Sequence, residues 1–350
     1  MTARIIDEQQ KYKAPLYFIY IEEDTMNHRQ KIYLTRRIPK IGIQKLQSRY
    51  DVEIWEHDLP IPREILLKKV VGCDAILCML SDRIDEEVML AAGEKLKVIG
   101  NYAVGYNNID ISFATKKGIS VGNTPDVLTD ATADIAFALM ISASRWAGAA
   151  RDTVHNGEWK TWSPLGFIGQ DLKGKTIGIV GLGRIGQAMA KRCYGGWDMN
   201  VLYCGNSQKK EAEQKLQARK VSFEELLRQS DFISVHAPLT EQTKGMFDRE
   251  AFSRMKKNCV FVNTARGQMV DQEALFEALS TGEIFAAGLD VTDPEPLPLS
   301  SPLLSLSNCF VLPHIGSATT KSRQDMAEIA ANNIILGLEQ KPLQCWVNPS

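Results

Sequence analysis

Thr176-Ile177-Gly178-Ile179-Val180 runs directly into Gly181-Leu182-Gly183-Arg184-Ile185-Gly186, and a helix-like stretch, residues 185–193, follows. A β-favouring run that ends at a G-x-G-x-x-G, with a helix behind it, is the order a dinucleotide site requires. Gly181 permits the tight turn, and Gly183 lets the backbone come close to a pyrophosphate. Gly186 lets the helix pack on the strand, so that its free N–H groups and dipole face the anion. Glycines also punctuate ordinary loops; the flanking strand and helix decide the reading. The turn predicts a nucleotide-binding unit.

Outward from this turn the chain alternates. Downstream, strands are expected at 201–203, 232–235, 260–263, 286–289 and 310–312, with helices at 211–216, 223–228, 249–255 and 272–280. Upstream, strands at 31–35, 52–56, 75–79 and 96–99 alternate with helices at 41–50, 64–70 and 89–94. Such alternation implies parallel sheets covered on both faces. A long helix over 131–154, capped by Asp130, stops at Asn156-Gly157, and a last helix over 319–338 is long enough to cross back to the first unit. The expected fold class is α/β with two doubly wound parallel-sheet domains, a Rossmann dinucleotide-binding domain (123–313) inserted into a flavodoxin-like substrate domain (31–122 plus 314–350). Residues 1–30, polar apart from 16–21, read as a loosely ordered leader.

Lys+Arg 41 against Asp+Glu 42 leaves a formal net charge of -1, so nothing global draws the chain to nucleic acid or to an anionic membrane. No apolar run is long enough to span a bilayer. Residues 16–21 are too short for a signal core, and Glu22-Glu23-Asp24 follow them. The seven cysteines form no C-x-x-C pair, which points to a reducing, cytoplasmic setting. Neither they nor the five histidines show metal-ligand spacing, and no metal is expected.

Three polar residues stand at strand ends of the second unit: Arg266, Glu295 and His314. Singly, they read as a surface arginine, a solvated loop charge and a turn histidine. Ligands of open α/β sheets, however, sit outside the carboxyl ends of strands, so all three can share the crevice of the Gly181 turn. Together they form a working set. A guanidinium fork grips a carboxylate, an imidazole handles a proton near neutral pH, and a carboxylate orients that imidazole.

These stretches resemble the D-isomer-specific 2-hydroxyacid dehydrogenases: Gly181–Gly186, Asn263-Thr264-Ala265-Arg266-Gly267, Gly288-Leu289-Asp290-Val291 through Pro294-Glu295-Pro296, and Pro313-His314. Asn101-Tyr102-Ala103-Val104-Gly105-Tyr106 and Thr124-Pro125-Asp126-Val127-Leu128-Thr129-Asp130 are most similar to the glyoxylate/hydroxypyruvate reductases within that family. The likeness covers residues 31 to the end. It implies that Arg266 holds the 2-oxoacid carboxylate and keto oxygen, that His314 protonates the forming alkoxide, and that Glu295 supports the ring. It implies substrate contacts from Val104, Gly105 and Ser317. Asp290, Thr264 and Ala265 would hold the nicotinamide side, with Gly316 beside His314. His236 and Pro238 would wall the adenosine, and Thr132 with Arg184 and Ile185 would lie near the pyrophosphate. Another D-2-hydroxyacid dehydrogenase, for bulkier or phosphorylated 2-oxoacids, is a rival. So is a dinucleotide-sensing corepressor of the C-terminal-binding-protein type, against which stands a chain without an extended tail.

One departure bears on the cofactor. NAD-preferring members carry an acid at the end of the second strand; this chain has Cys204, then Gly205-Asn206-Ser207-Gln208-Lys209-Lys210. Without a carboxylate to repel a 2′-phosphate, NADPH is expected to be preferred, with NADH possible. Lys209 and Lys210 read equally as the start of a solvated helix. The irregular segment 158–169, with Trp159, Trp162 and Phe167, reads either as core plugs or as a contact surface. It resembles the family's dimer arm, which implies a homodimer with Trp162 shaping the partner's pocket.

Overall fold

The computed structural model describes residues 29–349, so the leader expected over 1–30 lies outside the described residues except for its last two. The first unit runs β1 (Lys31–Leu34), α1 (Lys40–Gln47), β2 (Asp51–Ile54), α2 (Arg63–Lys69), β3 (Ala75–Cys78), α3 (Glu86–Ala92), β4 (Val98–Asn101), α4 (Ile111–Lys116) and β5 (Ser120–Gly122). Its strands pair in parallel, in the order β2-β1-β3-β4-β5. Then come α5 (Thr129–Ser144), α6 (Ala147–His155), β6 (Thr176–Val180), α7 (Arg184–Trp197), β7 (Asn200–Cys204), α8 (Lys210–Leu216), β8 (Arg219–Lys220), α9 (Phe223–Gln229) and β9 (Phe232–Val235). The chain finishes with α10 (Arg249–Ser253), β10 (Val260–Asn263), α11 (Gln272–Ser280), β11 (Ala286–Leu289), β12 (Cys309–Val311) and α12 (Thr320–Leu338). The second sheet, also parallel, has the order β12-β11-β10-β9-β6-β7-β8. That order reverses between β6 and β9, which places the ligand crevice at the carboxyl end of β6.

The inner strands are largely apolar because helices cover both faces of each sheet, whereas the edge strands β2 and β8 carry Asp51, Glu53, Arg219 and Lys220. β3, β9, β10 and β11 are buried at every residue. Met140 of α5 and Met189 of α7 fill one side of the larger sheet. Leu226, Phe252 and Leu275, from α9, α10 and α11, fill the other. On the smaller sheet Leu66 and Val88 cover one face, while α1 and the returning α12 cover the second with Leu46, Met326, Ala330 and Ile334. The approach of α12 is close: a Cβ at Gly100 would lie 3.0 Å from Ile334 Cδ1. Beyond it, Trp346 bridges Gly122 antiparallel, and Val347 donates its N–H to Val121 O at 2.8 Å. Among the described residues no helix is long and apolar enough to cross a membrane.

The structure departs from the sequence expectations in three places. The helix expected over 131–154 breaks at Trp146, which turns left-handed at φ 58°. Ser144 O accepts Gln170 N–H (2.9 Å) and the Trp146 indole donates to Ile168 O (2.9 Å), so a distant loop overrides the local apolar pattern. Asp130 is not the cap: α5 starts at Thr129 without a side-chain cap, and Asp130 sits in the first turn beside Arg192. α4, β5 and β8 also appear where no element was expected; α4 is capped by Asp110, which accepts Phe113 N–H at 2.9 Å.

Candidate active site

Gly181 leaves the buried end of β6 at φ 91°, and a Cβ there would lie 2.6 Å from Ala237 N. A methyl at Gly186 would strike Gly181 O, whereas at Gly183 it would meet nothing within 4 Å. Packing therefore requires glycine at 181 and 186, and at 183 the open space is what a closely approaching ligand fills. α7 starts there without a side-chain cap, leaving its first N–H groups free at the positive end of the helix dipole. These residues fit a dinucleotide pyrophosphate. Arg184 reaches sideways to Asp126, Nε to Oδ1 at 2.6 Å.

The loop after β7, where the resemblance places the adenosine ribose, lies beside the turn, since a Cβ at Gly205 would sit 4.0 Å from Gly181 Cα. Asn206 and Ser207 are exposed there. The Tyr203 hydroxyl holds the loop, accepting Lys209 N–H at 2.9 Å and donating to Glu213 Oε1 at 2.6 Å. On the other side, His236 Nε2 meets Ser234 Oγ at 2.9 Å, and burial pushes its pKa down to about 3, leaving a neutral ring. Pro238 is exposed, and its carbonyl accepts from Thr243 Oγ1.

Arg266, Glu295 and His314 converge from loops that follow β10, β11 and β12. Asn263, fully buried at the end of β10, folds the first loop: its Oδ1 accepts Ala265 N–H and its Nδ2 donates to Arg266 O, both at 2.9 Å. Burial pushes the Arg266 pKa down, and the Glu295 charge opposes this. Asp290, after β11, accepts the N–H groups of Ile315 and Gly316 at 2.7 Å each, tethering the histidine loop. His314, left-handed at φ 54°, places Nδ1 2.7 Å from Glu295 Oε2. Glu295 Oε1 accepts Thr292 N–H at 3.1 Å. Burial pushes the Glu295 carboxyl up, but His314, Thr292 N–H and Arg266 outweigh it and hold the group below the usual carboxylate range. A carboxylate on Nδ1 selects the tautomer that leaves Nε2 for other business. The pair sits at an accessible edge, its side chains 25% and 32% exposed.

The opposite lip comes from the first sheet. Asn101, fully buried at the end of β4, donates to Gly105 O at 2.8 Å and bends the following loop. Gly105 lies against the Arg266 guanidinium so closely that a methyl there would overlap Nη2. Asn107 Oδ1 accepts from Arg266 Nε at 3.0 Å. Val104 sits beside them, its carbonyl taken by Asn123 Nδ2 at 2.8 Å.

Among the other expected contacts, Thr132 is buried beneath Gly316, where a Cβ would lie 3.3 Å from its Cγ2. Thr264 is buried and Ala265 and Ser317 are half-buried near the same loops. Trp162 is 78% exposed and Trp159 67%, so the arm projects outward and is not a core plug. The sequence reading missed Asn101, Asn107 and Asn263. An asparagine closing an otherwise apolar strand is the signal that marks two of them.

The family model described as D-isomer specific 2-hydroxyacid dehydrogenase, NAD binding domain, matches residues 137–316. The chain is 50% identical over 309 residues to a glyoxylate reductase of Pyrococcus horikoshii, covering 87% of this chain and 92% of that one. It superposes on the TT0316 protein from Thermus thermophilus with a TM-score of 0.85 and 42% identity, over 91% of this chain and 100% of the other. The NADPH-dependent glyoxylate/hydroxypyruvate reductase SmGhrB from Sinorhizobium meliloti, in complex with NADP and malonate, is similar at 28% identity and a TM-score of 0.78, over 91% and 97% of the two chains.

Proposed function

Since the chain belongs to the D-isomer-specific 2-hydroxyacid dehydrogenase family and is an NAD(P)-dependent dehydrogenase, we propose that it reduces glyoxylate to glycolate and hydroxypyruvate to D-glycerate, preferring NADPH. The observation that carries this reading is the meeting of Arg266, the Glu295–His314 pair and the Gly105 lip at the same carboxyl edge of the sheet that carries the Gly181 turn. The 123–313 unit holds the dinucleotide, and 31–122 with 314–350 closes over the substrate.

A reduced nicotinamide dinucleotide held at the Gly181–Gly186 turn and the start of α7 would supply the hydride for the substrate's carbonyl carbon. Arg266 binds the carboxylate and polarises the keto oxygen, and Val104 and Gly105 offer backbone N–H groups from the opposite lip. His314, protonated, donates its Nε2 proton to the oxygen as negative charge develops there. Glu295, 2.7 Å from Nδ1, keeps the ring oriented for that transfer. In the oxidation direction the same nitrogen accepts the proton. Closure of the lips excludes water from the polar contacts.

Steady-state turnover of glyoxylate, hydroxypyruvate, bulkier and phosphorylated 2-oxoacids, each with NADPH and NADH, tests the proposal. Preference for a bulky or phosphorylated acid moves the enzyme elsewhere in the family. Dinucleotide binding with negligible turnover of all of them identifies a sensor. NADPH preference is supported by the lack of any carboxylate over residues 204–210, and equal or reversed affinities remove it. The exposed arm of Trp159, Trp162, Leu165 and Ile168 supports a homodimer. A fully active monomer in sedimentation rules the dimer out.

A further inference from the structure

We propose that Lys220 is a specificity-determining residue, its ammonium group binding the phosphate on the adenosine ribose 2′ position; this rests on the NADPH preference above. β8 is an edge strand of two residues, in parallel register with β7 as Leu202↔Arg219 and Tyr203↔Lys220. The register carries Lys220 to the carboxyl end of β7, where Nζ donates to Asn206 O at 3.3 Å. That loop stands beside the Gly181 turn, at the place where the ribose of a dinucleotide on this fold is held.

The two neighbouring cations of β8 are differently engaged. Arg219 is tied to Glu225 and Gln229, each at 2.8 Å. Lys220 forms no ion pair among the described residues and spends one donor on a neutral carbonyl, leaving two of its three N–H groups for a ligand. The nearby carboxylate, Glu213, is occupied on both oxygens, by the Tyr203 hydroxyl at 2.6 Å and Gln208 Nε2 at 3.0 Å. Exchanging one carbonyl contact for charge-assisted bonds to a phosphate dianion is favourable, and at this exposed rim it is sensitive to salt. Asn206 and Ser207 offer further donors on the same loop.

Calorimetric titration of 2′,5′-ADP and of 5′-ADP against wild type, Lys220→Ala and Lys220→Arg tests this without turnover. Wild type should favour 2′,5′-ADP, and Lys220→Ala should cut that preference about tenfold, as loss of a charged hydrogen bond does. Lys220→Arg should retain most of it. Equal weakening of both ligands in Lys220→Ala would mean a structural role and overturn the proposal. An undiminished preference in Lys220→Ala overturns it while the NADPH reading stands; no preference in wild type overturns both.

Discussion

The β6–α7 turn and the corner of Arg266, Glu295 and His314 occupy the same edge of one sheet but are assembled from opposite materials. The turn offers backbone, with Gly181, Gly183, Gly186 and an uncapped helix start lying in one short run of sequence. The corner offers side chains from separate loops, each set by another group: Asn263 under Arg266, Thr292 on Glu295, and Asp290 behind His314. A backbone device survives as long as its space is kept. A side-chain device fails when one tether moves. Dinucleotide binding and turnover should therefore be separable.

The sharpest attempt to break that separation is His314→Gln. Reduction should fall by about 10²–10⁴, while dinucleotide affinity, followed by fluorescence titration, stays near wild type; lost binding would merge the two regions. Gly105→Ala comes next, because the added methyl must displace the Arg266 guanidinium. A fall of about 100-fold in kcat/KM is expected from such a misplacement, with the unfolding midpoint unchanged, and an unaffected kcat/KM would remove Arg266 as the carboxylate clamp. Within the turn itself, Gly183→Ala should lose about tenfold in dinucleotide affinity without losing stability. Gly186→Ala should cost about 1–3 kcal/mol in denaturant unfolding, as overpacking does; the reverse pattern would exchange the roles of the two glycines.

The smallest effect concerns His236. Its folded pKa, about 3, lies below the ordinary 6.5, so the unfolded chain takes up a proton that the folded one refuses. Stability therefore falls as pH drops from 6.5 towards 3, and His236→Asn should flatten that limb. Unfolding midpoints measured across the window decide it, and an unaltered slope would count against a neutral ring.

What was legible in the sequence was local. The glycine turn is read from its own residues, and Phe232–Val235, Val260–Asn263 and Ala286–Leu289 stand where continuous apolar runs placed them, since strands buried on both faces need no alternation. Motif likeness pointed to Arg266, Glu295 and His314, and the structure adds the 2.7 Å contact that joins two of them. What escaped was long-range. The break at Trp146 depends on Gln170 taking the Ser144 carbonyl, a partner no helical periodicity contains. β8 is too short to show a period, so Lys220 stayed hidden. The carboxylate of Asp290 carries no mark in the sequence that it anchors Ile315 and Gly316.

The return of α12 to the five-stranded sheet has a consequence for biosynthesis. Ribosomes deliver β1 to β5 first, but Met326, Ala330 and Ile334, which share with α1 the cover of one side of them, emerge only after β12. The larger sheet is contiguous along the chain and can close before translation finishes. Until α12 emerges the nascent protein carries an apolar face that α1 covers only in part, and a message cut short of α12 leaves that face of the oldest sheet incompletely covered.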